Sequence, residues 1–349
     1  MEAPLHREPQ RRGSSLARLL RVQRKDEIEL LGFTRAVAEV GVHIVCAAGP
    51  EAVASAALLG KALKRGRVRT AALTVITACE RADAPTWREW LSDARALIVV
   101  GLGLRAPLVD GVPQLVIDAG NDDSGAHETL AERAFRLGEA LAPLGDATWL
   151  AAVGLLARPL PHRLIERALA RHTRADMSAV TELLDAAARG PQPAIDSLMA
   201  IEMLTAVAEP RRFLASVAAQ QLARTRALVG AELARASRIR PRPGFGVVVV
   251  EYESPCQLED LVAARWRGLR PGIAVLVANH GAVDGRVALT ARAAVPEALE
   301  RLRGALGDGD TALLHPDVWS QLRARLGVAP AAIERLGEPA EPTAPTMRN

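Results

Sequence analysis

The sequence predicts an α/β protein: a doubly wound, mostly parallel sheet joined by a long helix to a smaller α/β C-terminal domain. Three observations predict it. Short apolar runs rich in β-branched residues alternate with Ala/Leu-rich helical segments through the first half. An Ala/Arg-rich stretch from about Pro210 to Arg240 then reads as one long helix, ended by the proline-containing RIRPRPGFG. A second, shorter alternation of strands and helices follows.

In order, VHIVCAA from Val42 reads as a buried strand, and Gly49-Pro50 leads into the helix EAVASAALLGKALKRG, closed by Gly66. VRTAALTVI is a second strand and WREWLSDA a short helix. ALIVVGLGL is a third strand, a continuous apolar run of the kind buried on both faces of a parallel sheet. PQLVIDAG is a fourth, ending in Asp118 before the polar loop NDDSGAH. Helices are expected from Glu128 to about Arg189, with a break near Pro159–Pro161 and a stop at Gly190-Pro191. Acids or glycines at strand C-termini place the working edge of such a sheet there.

The second half reads as strand GFGVVVVEYE, helix QLEDLVAARWRG, strands GIAVLVANHG and GRVALTAR, helix PEALERLRGAL and a last helix near HPDVWSQLRARLG. The expected divisions are a basic N-terminal tail over 1–26, a first domain over 27–200, an Arg-rich helical linker over 201–242, a C-terminal domain over 243–330 and a disordered Pro-rich tail over 331–349.

Composition narrows the class. With 349 residues, nearly half of them hydrophobic, the chain is long enough for two domains with their own cores. No apolar run approaches the roughly 20 residues of a membrane span, and the N-terminus has no signal-type apolar segment. Cys46, Cys79 and Cys256 lack metal-ligand spacing and fit buried thiols in a reducing cytoplasm. Residues 1–25 hold seven Lys/Arg against Glu2 and Glu8, whereas the whole chain is only +4, so the remainder is close to neutral. Within that remainder the basic concentration is residues 211–242, with eight arginines and the single acid Glu232. Such a charge suits phosphate, and equally suits a solvated helix face.

The usual cofactor and nucleophile motifs are absent. The first loop lacks P-loop spacing, and GLGLRA has Ala106 at the third glycine of a dinucleotide fingerprint, with Pro107 directly behind. No nucleophile elbow or His-Glu-x-x-His occurs.

The order of the parts resembles the DHH phosphoesterase superfamily, the RecJ-type exonucleases and their relatives, over nearly the whole body. In that family the first loop runs His-x-Asp-x-Asp-Gly-x-x-Ser-Ala. Here Ser55-Ala56-Ala57-Leu58-Leu59 fit the helix start, but Ala47 stands at the His, Gly49 and Glu51 at the two Asp, and Ala52 at the Gly. Gly101 takes the place of the second-motif acid. In the third motif Asp118 is kept, while Ala119 and Gly120 replace both histidines, and Arg158 falls at a fourth acid. GRVALTAR resembles a strand of the family's C-terminal substrate-binding domain, with Thr290 for its Ser and Arg292 retained, and GDGDTA stands for its Gly-rich histidine loop.

The resemblance implies paired divalent metals, usually manganese, on a site of converging carboxylates and imidazoles. Alanine and glycine side chains supply no ligand. The expectation is therefore a catalytically inactive member with no cofactor and no metal, in which Glu51 and Asp118 are residual motif positions. It would serve as a scaffold or binding module for a protein partner, for single-stranded nucleic acid, or for both. Arg292, Arg224, Arg235, Arg238 and Thr290 are the expected phosphate contacts. An aromatic content of 3% weighs against stacking platforms and hence toward a protein partner. The functional analogy is the degenerate DHH subunit of the eukaryotic replicative helicase, a structural component. The competing reading is a manganese- or magnesium-dependent phosphoesterase or exonuclease on single-stranded DNA or short oligonucleotides, with a reduced metal site at Glu51 and Asp118 or a rearranged one using Asp122, Asp123 and His127. An anion-binding α/β protein using Gly-rich strand ends is a third.

Overall fold

The structure is a computed structural model that describes residues 29–37, 39–77, 89–104, 108–121, 127–157, 161–269, 273–293, 311–329 and 334–335. It divides into two compact units, which part at Val75, Glu89, Thr181, Ala200 and Phe213.

The first unit is built on a four-stranded sheet of order β2-β1-β3-β4, with β1 Val42–Ala47, β2 Thr70–Ile76, β3 Leu97–Val100 and β4 Gln114–Ile117. β1, β3 and β4 run parallel. β3 is wholly buried, and β1 is buried except at His43, as their unbroken apolar runs require. The helix α1, Pro50–Arg65, starts with Pro at its first turn and buries every residue from Ala52 to Leu59. Its alanines let neighbours approach closely on all sides, so it forms the centre of this unit and not a surface layer. A two-residue hairpin, β5 Gly120–Asn121 with β6 His127–Glu128, follows β4. Then come α2 Leu130–Leu141, α3 Thr148–Leu156, α4 Arg163–Leu169 and α5 Arg174–Arg189. Thr129 caps α2 by accepting from the Glu132 N–H, and Trp149 of α3 is fully buried with its Nε1 donating to the Ala208 carbonyl.

Two further helices, α6 Pro193–Ala206 and α7 Pro210–Leu214, precede α8 Val217–Ala236. The expected single helix from Pro210 to Arg240 is thus two. Ser216 accepts from the Ala219 N–H as an N-cap, and Phe213 is fully buried, which turns the chain between them. The division at Phe213 runs through the stretch expected to be the linker.

The second unit carries a six-stranded mixed sheet of order β11-β10-β9-β8-β12, with β7 also on β8. Its elements are β7 Arg242–Pro243, β8 Val247–Glu253, α9 Glu259–Leu269, β9 Ala274–Val283, β10 Arg286–Arg292, β11 Thr311–Leu314, α10 Pro316–Arg325 and β12 Glu334–Arg335. β8 and β9 are parallel, and β9 and β10 form an antiparallel hairpin around Asp284-Gly285. Strand alternation splits the core into two layers. Val247, Val249, Leu276, Leu289 and Ala291 face Trp319 and Leu322 of α10. Val248, Val250, Tyr252, Val275 and Val277 face Val262 of α9 together with Val229 and Ala236 of α8. The Arg-rich helix is therefore a packed layer of this unit.

β7, β11 and α6 were not expected from the sequence. Glu334 and Arg335 of β12 pair with Tyr252 and Glu253, inside the stretch expected to be a disordered tail. The basic tail 1–26, the helix over PEALERLRGAL, Trp87 and Arg88 of WREWLSDA and residues 336–349 lie outside the described residues, and in the rest of WREWLSDA only Glu89 and Trp90 are helical before a turn.

Candidate functional site

Register places the motif positions side by side. Cys46 pairs with Val100 and Val100 with Ile117, so the next residues, Ala47, Gly101 and Asp118, line one sheet edge at the strand C-termini. The edge predicted to work is thus assembled.

Its chemistry is different from that of a metal edge. Gly101 has φ +69°, and a Cβ there would stand 2.7 Å from Leu130 Cδ2 and 3.1 Å from Ala52 Cβ. The position compared with the second-motif acid therefore faces two apolar side chains. Asp118, half-buried, spends its carboxylate on the loop behind β3: Oδ1 accepts from the Gly103 N–H at 2.9 Å and Oδ2 from the Leu104 N–H at 3.3 Å. Arg133 of α2 donates from Nη1 to the Asp118 carbonyl at 3.4 Å, a fixed monovalent cation beside the edge. Glu51 Oε1 accepts from the Ala131 N–H at 3.2 Å, where the positive end of α2 favours a carboxylate. Ser55 Oγ is buried without a hydrogen-bond partner. Burial pushes the Cys46 thiol up to about 12, which keeps it protonated at neutral pH.

Ala47 is buried and Ala119 exposed, and neither offers a donor atom. Among the described residues no group of three or more His, Cys, Asp and Glu is placed to hold a metal. Asp122, Asp123 and Arg158 lie outside the described residues. The donor set on the edge does not fit a paired divalent-metal site: one acid position is filled with hydrocarbon and the two remaining carboxylates hold backbone N–H groups. Sequence reading missed Leu130 and Arg133, because what selects them is the packing of α2 on the strand ends, a long-range contact without a local pattern.

In the second unit the expected phosphate contacts scatter. Arg224 and Arg235 lie eleven residues apart on α8, on one stripe. Arg224 and Arg238 are exposed and make no ion pair among the described residues. Arg235 instead pairs with Glu232, which is 1% exposed and also accepts from Ser254 Oγ at 2.8 Å, so its charge is committed inside the core. Thr290 sits buried in the middle of β10, opposite Val277 and Thr311, so its hydroxyl is withdrawn from solvent, contrary to the expected contact. Arg292 ends the same strand, half-buried, opposite Val275. Arg211 and Arg226, which add to the basic count in sequence, pair with Asp176 and Glu182 at 2.9 and 2.6 Å.

A search of solved structures decides the fold. RecJ from Thermus thermophilus, in complex with Mn2+, superposes with a TM-score of 0.62 at 17% identity, over 90% of this chain and 56% of that one. The fold is that of the RecJ-like DHH superfamily. An exonuclease RecJ bound to manganese matches at TM-score 0.58 and 17% identity, over 88% of this chain and 95% of its own. CDC45 from Entamoeba histolytica matches at 0.50 and 9%, over 86% and 98%. This chain thus spans little more than half the length of the Thermus thermophilus protein. No protein-family profile and no curated protein matches the sequence. With the DHH fold established, Gly101, Asp118 and Glu51 stand on its strand-end edge. No helix among the described residues is long and apolar enough to cross a membrane.

Proposed function

We propose that this DHH-fold protein is catalytically inactive and acts as a scaffold or binding module, for a protein partner and for single-stranded nucleic acid. The observation that carries the reading is Gly101 itself, a left-handed position without a ligand atom where a Cβ would meet Leu130 and Ala52. The two remaining carboxylates support it, since both already accept from backbone N–H groups and two carboxylates are too few for a paired metal site. No cofactor is required. The exposed guanidinium groups of Arg224 and Arg238, unpaired among the described residues, are the phosphate contacts this reading uses, with Arg292 at the end of β10. Low aromatic content favours a protein partner as the principal one and electrostatic, sequence-tolerant contact with any strand.

The test is to incubate the full chain with single-stranded DNA and with short RNA, with and without manganese, and to measure strand binding across salt. Binding without cleavage, weakening as salt rises and losing slope in Arg224→Glu and Arg238→Glu, is expected. Manganese-dependent cleavage lost in Asp118→Ala would establish the exonuclease reading instead.

A further inference from the structure

Away from the strand-end edge, the first unit holds a cavity of about 640 Å³ against the edge strand β2. That volume is in the range of small-molecule sites. Its walls are aliphatic, from Ile44, Val68, Leu73 and Ile201. Its charged groups are the cations Lys64, Arg67 and Arg69 and the acceptor Glu202, with the hydroxyls of Thr70 and Thr205 also on the lining. All three cations are exposed and make no ion pair or side-chain hydrogen bond among the described residues, whereas neighbouring Arg65 is bound to Asp146 through both nitrogens.

Arg67 is the unusual member. The end of α1 is a Schellman turn, with the Val68 N–H on the Leu63 carbonyl at 2.9 Å and the Arg67 N–H on the Lys64 carbonyl at 3.3 Å. This turn needs a left-handed residue just past the cap. Here that residue is Arg67, at φ 59°, the single non-glycine with positive φ among the described residues. Gly66 sits one place earlier, at φ −75°, where any residue fits. A strained backbone carrying a long cation over a cavity is a feature stability alone does not select. Lys64, in the last helical turn, is accounted for by the helix dipole, but Arg67 and Arg69 lie beyond it and exceed the half-charge it presents.

We propose that this cavity binds a nucleotide phosphate, either a free mononucleotide or the 5′-terminal nucleotide of a strand. The guanidinium groups take the phosphate, the aliphatic walls enclose the base, and the Glu202 carboxylate accepts from ribose hydroxyl or base amino groups. A fatty acid would match the walls and cations but offers no donor to the exposed Glu202 carboxylate. The site does not rest on the state of the strand-end edge.

The test is calorimetry on the full chain with adenosine 5′-monophosphate, adenosine, inorganic phosphate and a 5′-phosphorylated pentadeoxyadenylate. The monophosphate should bind at least about tenfold more tightly than adenosine or phosphate, and Arg67→Gly should lose about tenfold. The same Arg67→Gly should melt about 2 °C higher, since glycine relieves the turn, which separates loss of binding from loss of folding. Pentamer binding with equal Arg67 dependence marks the strand end as the source, and monophosphate binding alone marks the free nucleotide. No saturable monophosphate binding up to about 10 mM overturns the proposal. So does monophosphate affinity unchanged in Arg67→Gly, or binding of an acidic hexapeptide in its place.

Discussion

Gly101 couples a left-handed backbone to a side-chain seat already taken by Leu130 and Ala52. Gly101→Ala should therefore destabilise by about 1–3 kcal/mol, read by denaturant unfolding, since it meets both strain and overpacking. Gly101→Asp adds a carboxylate to the same hydrocarbon and should cost more. A stable, folded Gly101→Asp variant would show that the edge relaxes enough to accept an acid. Ser55 is the converse case, a hydroxyl buried among alanines with no partner. Ser55→Ala should leave stability unchanged or raise it by about 1 kcal/mol, because it removes an unsatisfied group and no bond. A loss of stability in that variant would mean the hydroxyl has a partner after all.

At the scale of elements, α9 opens with Glu259, 7% exposed, accepting from Asn279 Nδ2 at 2.8 Å. Burial pushes its carboxyl up from 4.5 to about 7. In the unfolded chain the group ionises near 4.5, so between there and 7 the folded protein binds the extra proton. The stability this contributes is complete below the unfolded value and is lost as pH rises through about 7. His43 and His280, whose imidazoles burial pushes down, slope the other way, so wild type alone does not isolate the effect. Glu259→Gln keeps the acceptor for Asn279 and should remove the fall, with the two melting curves diverging from pH 5 to pH 8 by on the order of 1–3 kcal/mol. Parallel curves would mean Glu259 is solvated in the folded state.

The same scale shows what was legible in the sequence. β3 and β4 read directly because a strand buried on both faces leaves an unbroken apolar run, and α1 read because Ala/Leu content closes at Gly66. The break at Ser216 did not, since alanine and arginine continue across it and only the burial of Phe213 turns the chain. The place of α8 in the C-terminal core was likewise hidden. Its arginines dominate the composition, while Val229 and Ala236 make the packed face. At the site, Asp118 was legible as a strand-end acid, but its duty to Gly103 and Leu104 lies in loop geometry that residue type does not encode.

At the scale of the whole molecule, the chain shares the fold of the RecJ structures and carries hydrocarbon and backbone hydrogen bonds at its strand-end edge. The proposed binding to a strand would rest on charge, and the chain is +4 overall. Affinity should fall linearly on a log–log plot against salt, with each removed contact among Arg224 and Arg238 lowering the slope by roughly one. The most direct measurement of the proposed inactivity is a calorimetric titration of manganese into the full chain and into Asp118→Ala. An inactive scaffold gives no saturable heat in either protein. Stoichiometric manganese binding in the wild type that disappears in Asp118→Ala would contradict it.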